Sequence, residues 1–406
     1  MTTYIRSSKL SIKFGNTNKI QKLDTIRQEY FRVMKEFIIT LWDMDHVPKF
    51  ISKEITSQPN TFLSARMRQC AAKQASGIVR GTKKKQEKRE YVLGTLKPGS
   101  QEHKRLKTKI ETVKMSCPVP ENVNMEIDSR FVKIEMDGDT TFDVWITLGS
   151  IGNKIKIALP LKATKHVRNM MSKGGTLLNS IRIEKDKVVL FFEMEQKENG
   201  GTETIGIDIG QSTLLSCSNG QLSNPCHHGH DMKSINDKMS RKKKGSKGFE
   251  RAQAHRDNYI NMTVKRLNFD SVKEIRIENI KNLFKGKVTN RTLSHWNYAA
   301  IFSKLLLHCE SQGVLVTRVN PTYTSKRCSG CGWTKNSNRK GKIFNCVHCG
   351  NAMDADLNAA QNIAIVDLEP IGYHQRHKVD VKRGFFWLTS CGQESIVPVV
   401  QKTVLT

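Results

Sequence analysis

The sequence predicts a multidomain α+β protein: strands in series around a basic helical insert in the N-terminal half, then an α/β domain on a mixed sheet carrying an inserted metal ribbon. Three observations predict it. The apolar period switches to two beyond Pro118 and Pro120. A Gly-rich polar stretch, "KENGGTET", separates the two halves. Two CxxC pairs, Cys328 with Cys331 and Cys346 with Cys349, stand fourteen residues apart near the end of the second half. At 406 residues the chain can bury a substantial core and divides into two or three domains.

In chain order, residues 1–45 open with an alternating strand, "KLSIKFG", and continue into "IQKLDTIRQEYFRVMKEFIITLWDM", whose apolar residues recur at helical spacing. They supply the first part of a β-barrel and the start of a helical region. Residues 46–117 form a basic helical insert, with twelve Lys or Arg against four acids between Arg80 and Lys114. Such a block is either a solvated helix face or a nucleic-acid contact, and Lys83, Lys84 and Lys85 are its candidates for the second role. Residues 118–196 carry short alternating strands ("FVKIEM", "FDVWITLG", "KIKIALPL", "SIRIEKDKVVLFFEMEQ") and complete a small barrel or sandwich. Residues 197–204 read as a linker.

Residues 205–326 alternate strands and helices. "TIGIDIGQSTLL" gives apolar strands about a Gly turn, and a long helical candidate follows from Asp231, with eight Lys or Arg against two acids between Lys233 and Arg251. "VKEIRIENI" is a strand ending in an acid, "HWNYAAIFSKLLLHCESQG" an amphipathic helix and "VLVTRVNP" a further strand. The ribbon occupies 327–350, a further helical motif 351–370, and 371–406 is a tail expected to be disordered.

The bulk signal is charge: 67 Lys plus Arg against 38 Asp plus Glu, a formal +29. Such a field concentrates phosphates and repels itself, so a polyanionic partner is the economical explanation. No apolar run approaches the roughly 18 residues of a membrane span and the N-terminus lacks the apolar block of a signal peptide, so no membrane partner and a cytoplasmic location are expected.

Ten cysteines over this length are too sparse for a disulfide framework. Two knuckles, each turning two sulfurs toward one ion, satisfy tetrahedral Zn2+, and Gly332 and Gly350 directly after them permit tight turns. A redox pair explains the spacing less well. Four thiolates leave no open coordination position, so this zinc is structural and the chemistry lies elsewhere.

The candidates are three acids. Asp208 lies inside an apolar strand, where a carboxylate is costly unless paired or metal-bound. Glu278 ends the next strand in the same manner. Asp356 opens "DLNAAQNIA", where an acid is either a helix cap or a ligand. Three converging carboxylates could hold two divalent ions, Mg2+ or Mn2+, and hydrolyse a phosphodiester.

These residues carry a resemblance. "GIDIG", "IRIENIKNL", the "YTSKRCSGCG" to "CVHCG" ribbon and "DADLNAAQNIA" resemble the RuvC-type, RNase H-like nuclease domain of TnpB proteins and the related miniature type V CRISPR effectors. The basic run "MSRKKKGSKGFERAQAHRDN" and the tail "LTSCGQESIVP" are similar to segments of that family, and the order barrel, helical recognition insert, nuclease resembles its architecture. The resemblance implies an RNA-guided DNA endonuclease: a guide RNA pairs with the target DNA, a short adjacent motif is checked and the RuvC site cuts. It implies Asp208, Glu278 and Asp356 as the catalytic acids binding the divalent ions, with Asp354 as rival for the third. Family ribbons often carry an arginine before the third cysteine; here Lys342 stands nearest and Arg339 further back. Guide or heteroduplex contacts fall to Arg241, Lys242, Lys243, Lys244, Lys247 and Arg251. A DNA-binding repressor without cleavage and a transposase are the alternatives, and monomer and homodimer both stay open. "CHHGHD", Cys226 to Asp231, reads as a surface loop rather than a second metal site, and Trp296 and Tyr298 read as core.

Overall fold

The alternating start of the chain forms β1 (Thr3–Ser11), which pairs antiparallel along its whole length with β7 (Lys187–Glu195). The computed structural model describes residues 2–112, 116–120, 124–136, 140–280, 295–365, 381–382, 384–389 and 396–399. It divides into two units, Met1–Glu195 and Gln196–Thr406.

In the first unit, β2 (Met125–Ile127) and β6 (Thr176–Ile183) complete an antiparallel sheet of order β1-β7-β6-β2. A second antiparallel sheet holds β3 (Val132–Met136), β4 (Val144–Leu148) and β5 (Ile157–Leu161). The expected barrel is therefore corrected to two open sheets among the described residues. Closure requires every edge strand to find a partner, whereas β1 and β2 end one sheet and β3 and β5 end the other.

Helix α1 (Thr17–Trp42) buries Leu23, Ile26, Tyr30, Val33, Phe37 and Leu41, one face at steps of three and four. Between α1 and α3 lies the short α2 (Lys53–Thr56). Helix α3 (Ala65–Thr95) meets α1 with Met67, Ala71, Ala72, Ala75 and Val79, small side chains that let the helix axes approach. Beyond Val79 it buries nothing, and α4 (Gln101–Thr112) buries nothing either. The basic insert thus contributes no core from Arg80 to Thr112. Helix α5 (Lys165–Ser172) is capped by the Thr164 hydroxyl.

The second unit is built on a sheet of order β11-β10-β8-β9. Strands β8 (Glu203–Asp208), β10 (Val272–Glu278) and β11 (Leu315–Val319) run parallel, and β9 (Ser216–Cys217) is antiparallel to β8. Ile205, Ile207, Ile275 and Ile277 form its core with Tyr259 and Leu305. The "linker" is anchored: Asn199 Nδ2 donates to the Val272 and Gly313 carbonyls at 2.7 and 3.1 Å.

The single basic helix expected from Asp231 is two helices, α6 (Met232–Ser240) and α7 (Lys247–Lys265). Gly245 at φ 80° turns the chain and the Ser246 hydroxyl caps α7, so Arg241–Lys244 form an exposed joint. Helix α8 (Tyr298–Gln312) precedes β11.

The ribbon contains β12 (Trp333–Thr334), β13 (Arg339–Lys340), β14 (Ile343–Asn345) and β15 (Ala352–Asp354), the last leading directly into α9 (Ala355–Ile365). Two parts of the tail expected to be disordered are strands, β16 (Phe385–Thr389) and β17 (Ile396–Val399), paired in the order β12-β16-β17. No described helix is long and apolar enough to cross a membrane.

Candidate active site and metal centre

Asp208 is the last residue of β8 and Glu278 the last of β10, and Ile207 pairs with Ile277 in parallel register. The two acids therefore stand side by side at the carboxyl ends of neighbouring parallel strands, where open α/β sheets form their ligand crevice. Asp356 arrives from the first turn of α9. That helix lies so close on β8 that a Cβ at Gly206 would stand 2.1 Å from the Ala360 carbonyl oxygen, so only glycine fits there. A Cβ at Gly210 would sit 4.0 Å from Asp356 Oδ2, which puts the loop after β8 against the third acid.

Burial, reinforced by the Glu278 and Asp356 charges, pushes the Asp208 carboxyl up to about 7. Burial raises Glu278 as well, opposed by the hydrogen bond that the Thr324 hydroxyl donates to Glu278 Oε1. Tyr298 fixes the backbone of the same residue, its hydroxyl donating to the Glu278 carbonyl at 2.6 Å. Asp356 is 4% exposed and lies between two cations: Arg339 Nη2 donates to Oδ1 at 2.9 Å, and the Lys342 ammonium pairs with Oδ2. Its rival does a different job. Asp354 Oδ1 accepts from the backbone N–H of Asp356 at 2.8 Å and of Leu357 at 3.1 Å, which is a helix cap.

Asp208 and Glu278, both held above the usual carboxylate range, are donors suited to a hard divalent cation, whose charge would offset the cost of ionising them. Asp208, Glu278 and Asp356 supply only oxygen, which fits Mg2+ or Mn2+ rather than zinc.

The four cysteines meet. Their Sγ atoms all lie within 4.8 Å of one another, with Cys328 to Cys349 at 3.8 Å and Cys331 to Cys346 at 3.6 Å. Four sulfurs about 2.3 Å from a central ion stand about 3.8 Å apart, so the cluster has the dimensions of a tetrahedral zinc site. Gly332 and Gly350 take φ 79° and 73° and donate back to the Cys328 and Cys346 carbonyls at 2.9 Å, closing both knuckles. The buried Arg327 lies against this cluster.

Sequence reasoning missed what joins ribbon to site. Asn362, fully buried on α9, donates to the Thr324 and Arg327 carbonyls at 2.9 and 2.7 Å and accepts from Arg327 Nη1 at 2.6 Å. Asn358 donates to the Arg327 carbonyl at 2.8 Å and accepts from the Ser329 N–H at 3.0 Å. The signal was two asparagines one helical turn apart in the alanine-rich "LNAAQNIA".

The basic candidates fall in both units. Lys242, Lys243, Lys244, Lys247 and Arg251 are exposed around the α6–α7 joint with Arg241. Lys84 and Lys85 are exposed on α3, whereas Lys83 is half-buried, donating to the Met44 carbonyl over the Trp42 ring. Of "CHHGHD", Cys226 is buried with Sγ 3.6 Å from His255 Nε2, and Asp231 caps α6. Among the described residues no third ligand joins that pair to make a metal cluster. Trp296 and Tyr298 pack against the core of the second unit.

Residues 298–363, from α8 through the ribbon into α9, match the model of the Cas12f1-like TNB domain. The chain is 39% identical over 98 residues to the CRISPR-associated endodeoxyribonuclease Cas12f1 of Sulfoacidibacillus thermotolerans, which is 24% of this chain and 23% of that one. It is 38% identical over 92 residues to the TnpB-like protein L79 of Acanthamoeba polyphaga mimivirus, 22% of this chain and 16% of that one. The chain is thus similar to each relative over under a quarter of that relative's length. In fold, the chain is similar to Alicyclobacillus acidoterrestris C2c1 solved with single-guide RNA, at 8% identity and a TM-score of 0.54 over 98% of this chain and 92% of that one.

Proposed function

We propose that this chain is an RNA-guided DNA endonuclease whose second unit is a RuvC-like, RNase H-like nuclease. The observation that carries the reading is the placement of Asp208 and Glu278 at the carboxyl ends of neighbouring parallel strands, with Asp356 near enough to raise the Asp208 carboxyl, in the unit that also holds the four-cysteine ribbon. A protein that only binds nucleic acid has no use for an Asp208 carboxyl raised by burial and by two neighbouring acids, an arrangement that costs stability until a cation occupies it. The net charge of +29 supplies the field that a polyanionic substrate requires.

In this reading the three acids hold two divalent ions, which when bound activate water and stabilise the leaving oxygen of the phosphodiester. Thr324 orients the Glu278 carboxylate, Arg339 holds one oxygen of Asp356, and Asp354 caps α9 so that Asp356 faces β8. The zinc-bound ribbon performs no chemistry and holds the start of α9. The exposed bases at the α6–α7 joint, together with Lys84 and Lys85, contact phosphates of guide and heteroduplex and position without reading sequence. Pairing with the guide reads the target, and the protein reads a short adjacent motif.

The test is purification from cells carrying the native locus, sequencing of the RNA that comes with the protein, and cleavage of DNA complementary to its variable end in Mg2+. A defined structured RNA and guided cutting support the reading. Random RNA, with metal-dependent cutting that ignores the guide, leaves an unguided nuclease; defined RNA and tight target binding without cutting leave a repressor.

A further inference from the structure

Three features fix the setting. Asp356 is nearly enclosed, its side chain 6% exposed, yet its two oxygens face two different cations. Arg339 is held at both ends of its guanidinium: Nε donates to the Gly341 carbonyl at 3.1 Å while Nη2 donates to Asp356 Oδ1 at 2.9 Å, and the side chain is 28% exposed. Lys342 is held differently. Its side chain is 47% exposed, and its ammonium touches Asp356 Oδ2 and, at 3.1 Å, the hydroxyl of Thr213 in the loop after β8.

Gly210 adds no side chain to the space at Oδ2, where a Cβ would stand 4.0 Å away, and the lysine head is the group that pairs with that oxygen. Its backbone does not need to move with the head, because the Lys342 carbonyl accepts from the Ala355 N–H at 2.9 Å and pins the ribbon turn to the start of α9. A compact ammonium on a half-exposed, flexible stem can leave a carboxylate more readily than a guanidinium bonded at two points.

We propose that Lys342 is a displaceable counter-ion for Asp356: its ammonium occupies the oxygen through which Asp356 would ligate a divalent ion, and it must swing off toward Thr213 and solvent before the site can load. Arg339 stays on Oδ1 and keeps the carboxylate aimed. This rests on the nuclease reading and adds a property that reading does not contain, a competition built into the ribbon that sets how much metal the resting protein holds. An arginine at the same position would bind both oxygens in a fork and leave less readily, so the single-point charge of lysine suits a group that has to yield. Released, the same ammonium stands at the rim of the site, where a phosphate would meet it.

The experiment is Mn2+ binding followed by electron paramagnetic resonance on the full zinc-loaded chain without nucleic acid, for the wild type, Lys342→Met, Arg339→Met and Asp208→Asn, with thermal unfolding of each as a folding control. Lys342→Met should bind Mn2+ about three- to tenfold more tightly than wild type at an unchanged melting temperature, while Arg339→Met should bind it no more tightly. Unchanged or weaker affinity in Lys342→Met overturns the proposal, since a lysine that merely orients Asp356 would lower affinity on removal. Wild-type binding indistinguishable from Asp208→Asn removes the carboxylate site itself and the counter-ion role with it. Wild-type binding that Asp208→Asn abolishes, with no gain in Lys342→Met, removes the counter-ion role alone.

Discussion

The two anionic clusters of the second unit differ in how they are assembled. The four thiolates come from 22 consecutive positions, Cys328 to Cys349, and two local turns suffice to bring them within 4.8 Å. The three carboxylates come from β8, β10 and α9, and approach one another only once a parallel sheet has formed and α9 has docked against Gly206. The thiolate cluster lies against one cation, the buried Arg327; the carboxylate cluster is partly neutralised by two that reach over from the ribbon. The difference teaches that a site written in local spacing holds its geometry by itself, whereas a site written in topology borrows it from whatever fixes the elements.

The largest effect that would sharpen the contrast is chemical. Asp208→Ala should lower guided cleavage by on the order of a thousandfold or more while leaving RNA and target binding intact in a mobility-shift assay. Cutting at the wild-type rate would remove Asp208 from the site. Next is Cys346→Ser, which should lose the zinc in a metal analysis and lower the melting temperature by on the order of 10 °C, taking cleavage with it because α9 loses its seat. Full metal content and an unchanged melting temperature would show that the thiolate cluster does not hold the ribbon.

A smaller effect concerns protons. Asp208 titrates at about 7 in the folded chain instead of near 3.8, so the folded state holds its proton more tightly. That contribution is complete below the ordinary value and is lost as pH rises through 7. In magnesium-free buffer the melting temperature should therefore fall as pH rises from 5 to 8, and Asp208→Asn should flatten that slope. Added Mg2+ should stabilise the wild type more at pH 8 than at pH 6. No chelator is used, since it would also strip the ribbon. The smallest effect is expected at the α6–α7 joint. Lys242, Lys243 and Lys244 changed together to Ala should weaken nucleic-acid binding about equally for all sequences and reduce the salt slope by up to about 3. An unchanged slope would return the joint to an ordinary solvated surface.

The same contrast explains what the sequence made legible. The knuckles could be read because thiolate spacing is local, and Asp208 stood out because an acid inside "TIGIDIG" is costly. Asp354 and Asp356 could not be told apart by position, since both open the same helix; only the backbone N–H groups accepted by Asp354 and the enclosure of Asp356 separate their roles. Whether these strands close into a barrel or stay two open sheets, as among the described residues, depends on pairings between distant edge strands, about which alternation within each strand says nothing. The break at Gly245 and Ser246 was written in turn and cap residues, but a run of four basic residues drew attention to charge and away from them.

Asn358 and Asn362 hold the ribbon stem mainly through backbone groups: the carbonyls of Thr324 and Arg327 and the N–H of Ser329. Every residue but proline offers both groups, so most of the seat does not depend on which side chains the stem carries. The seat of the ribbon is for this reason tolerant of sequence. Apart from Arg339 and Lys342, which reach Asp356, the ribbon's outer loops can drift, while the two asparagines that receive the stem are the fixed half of the joint.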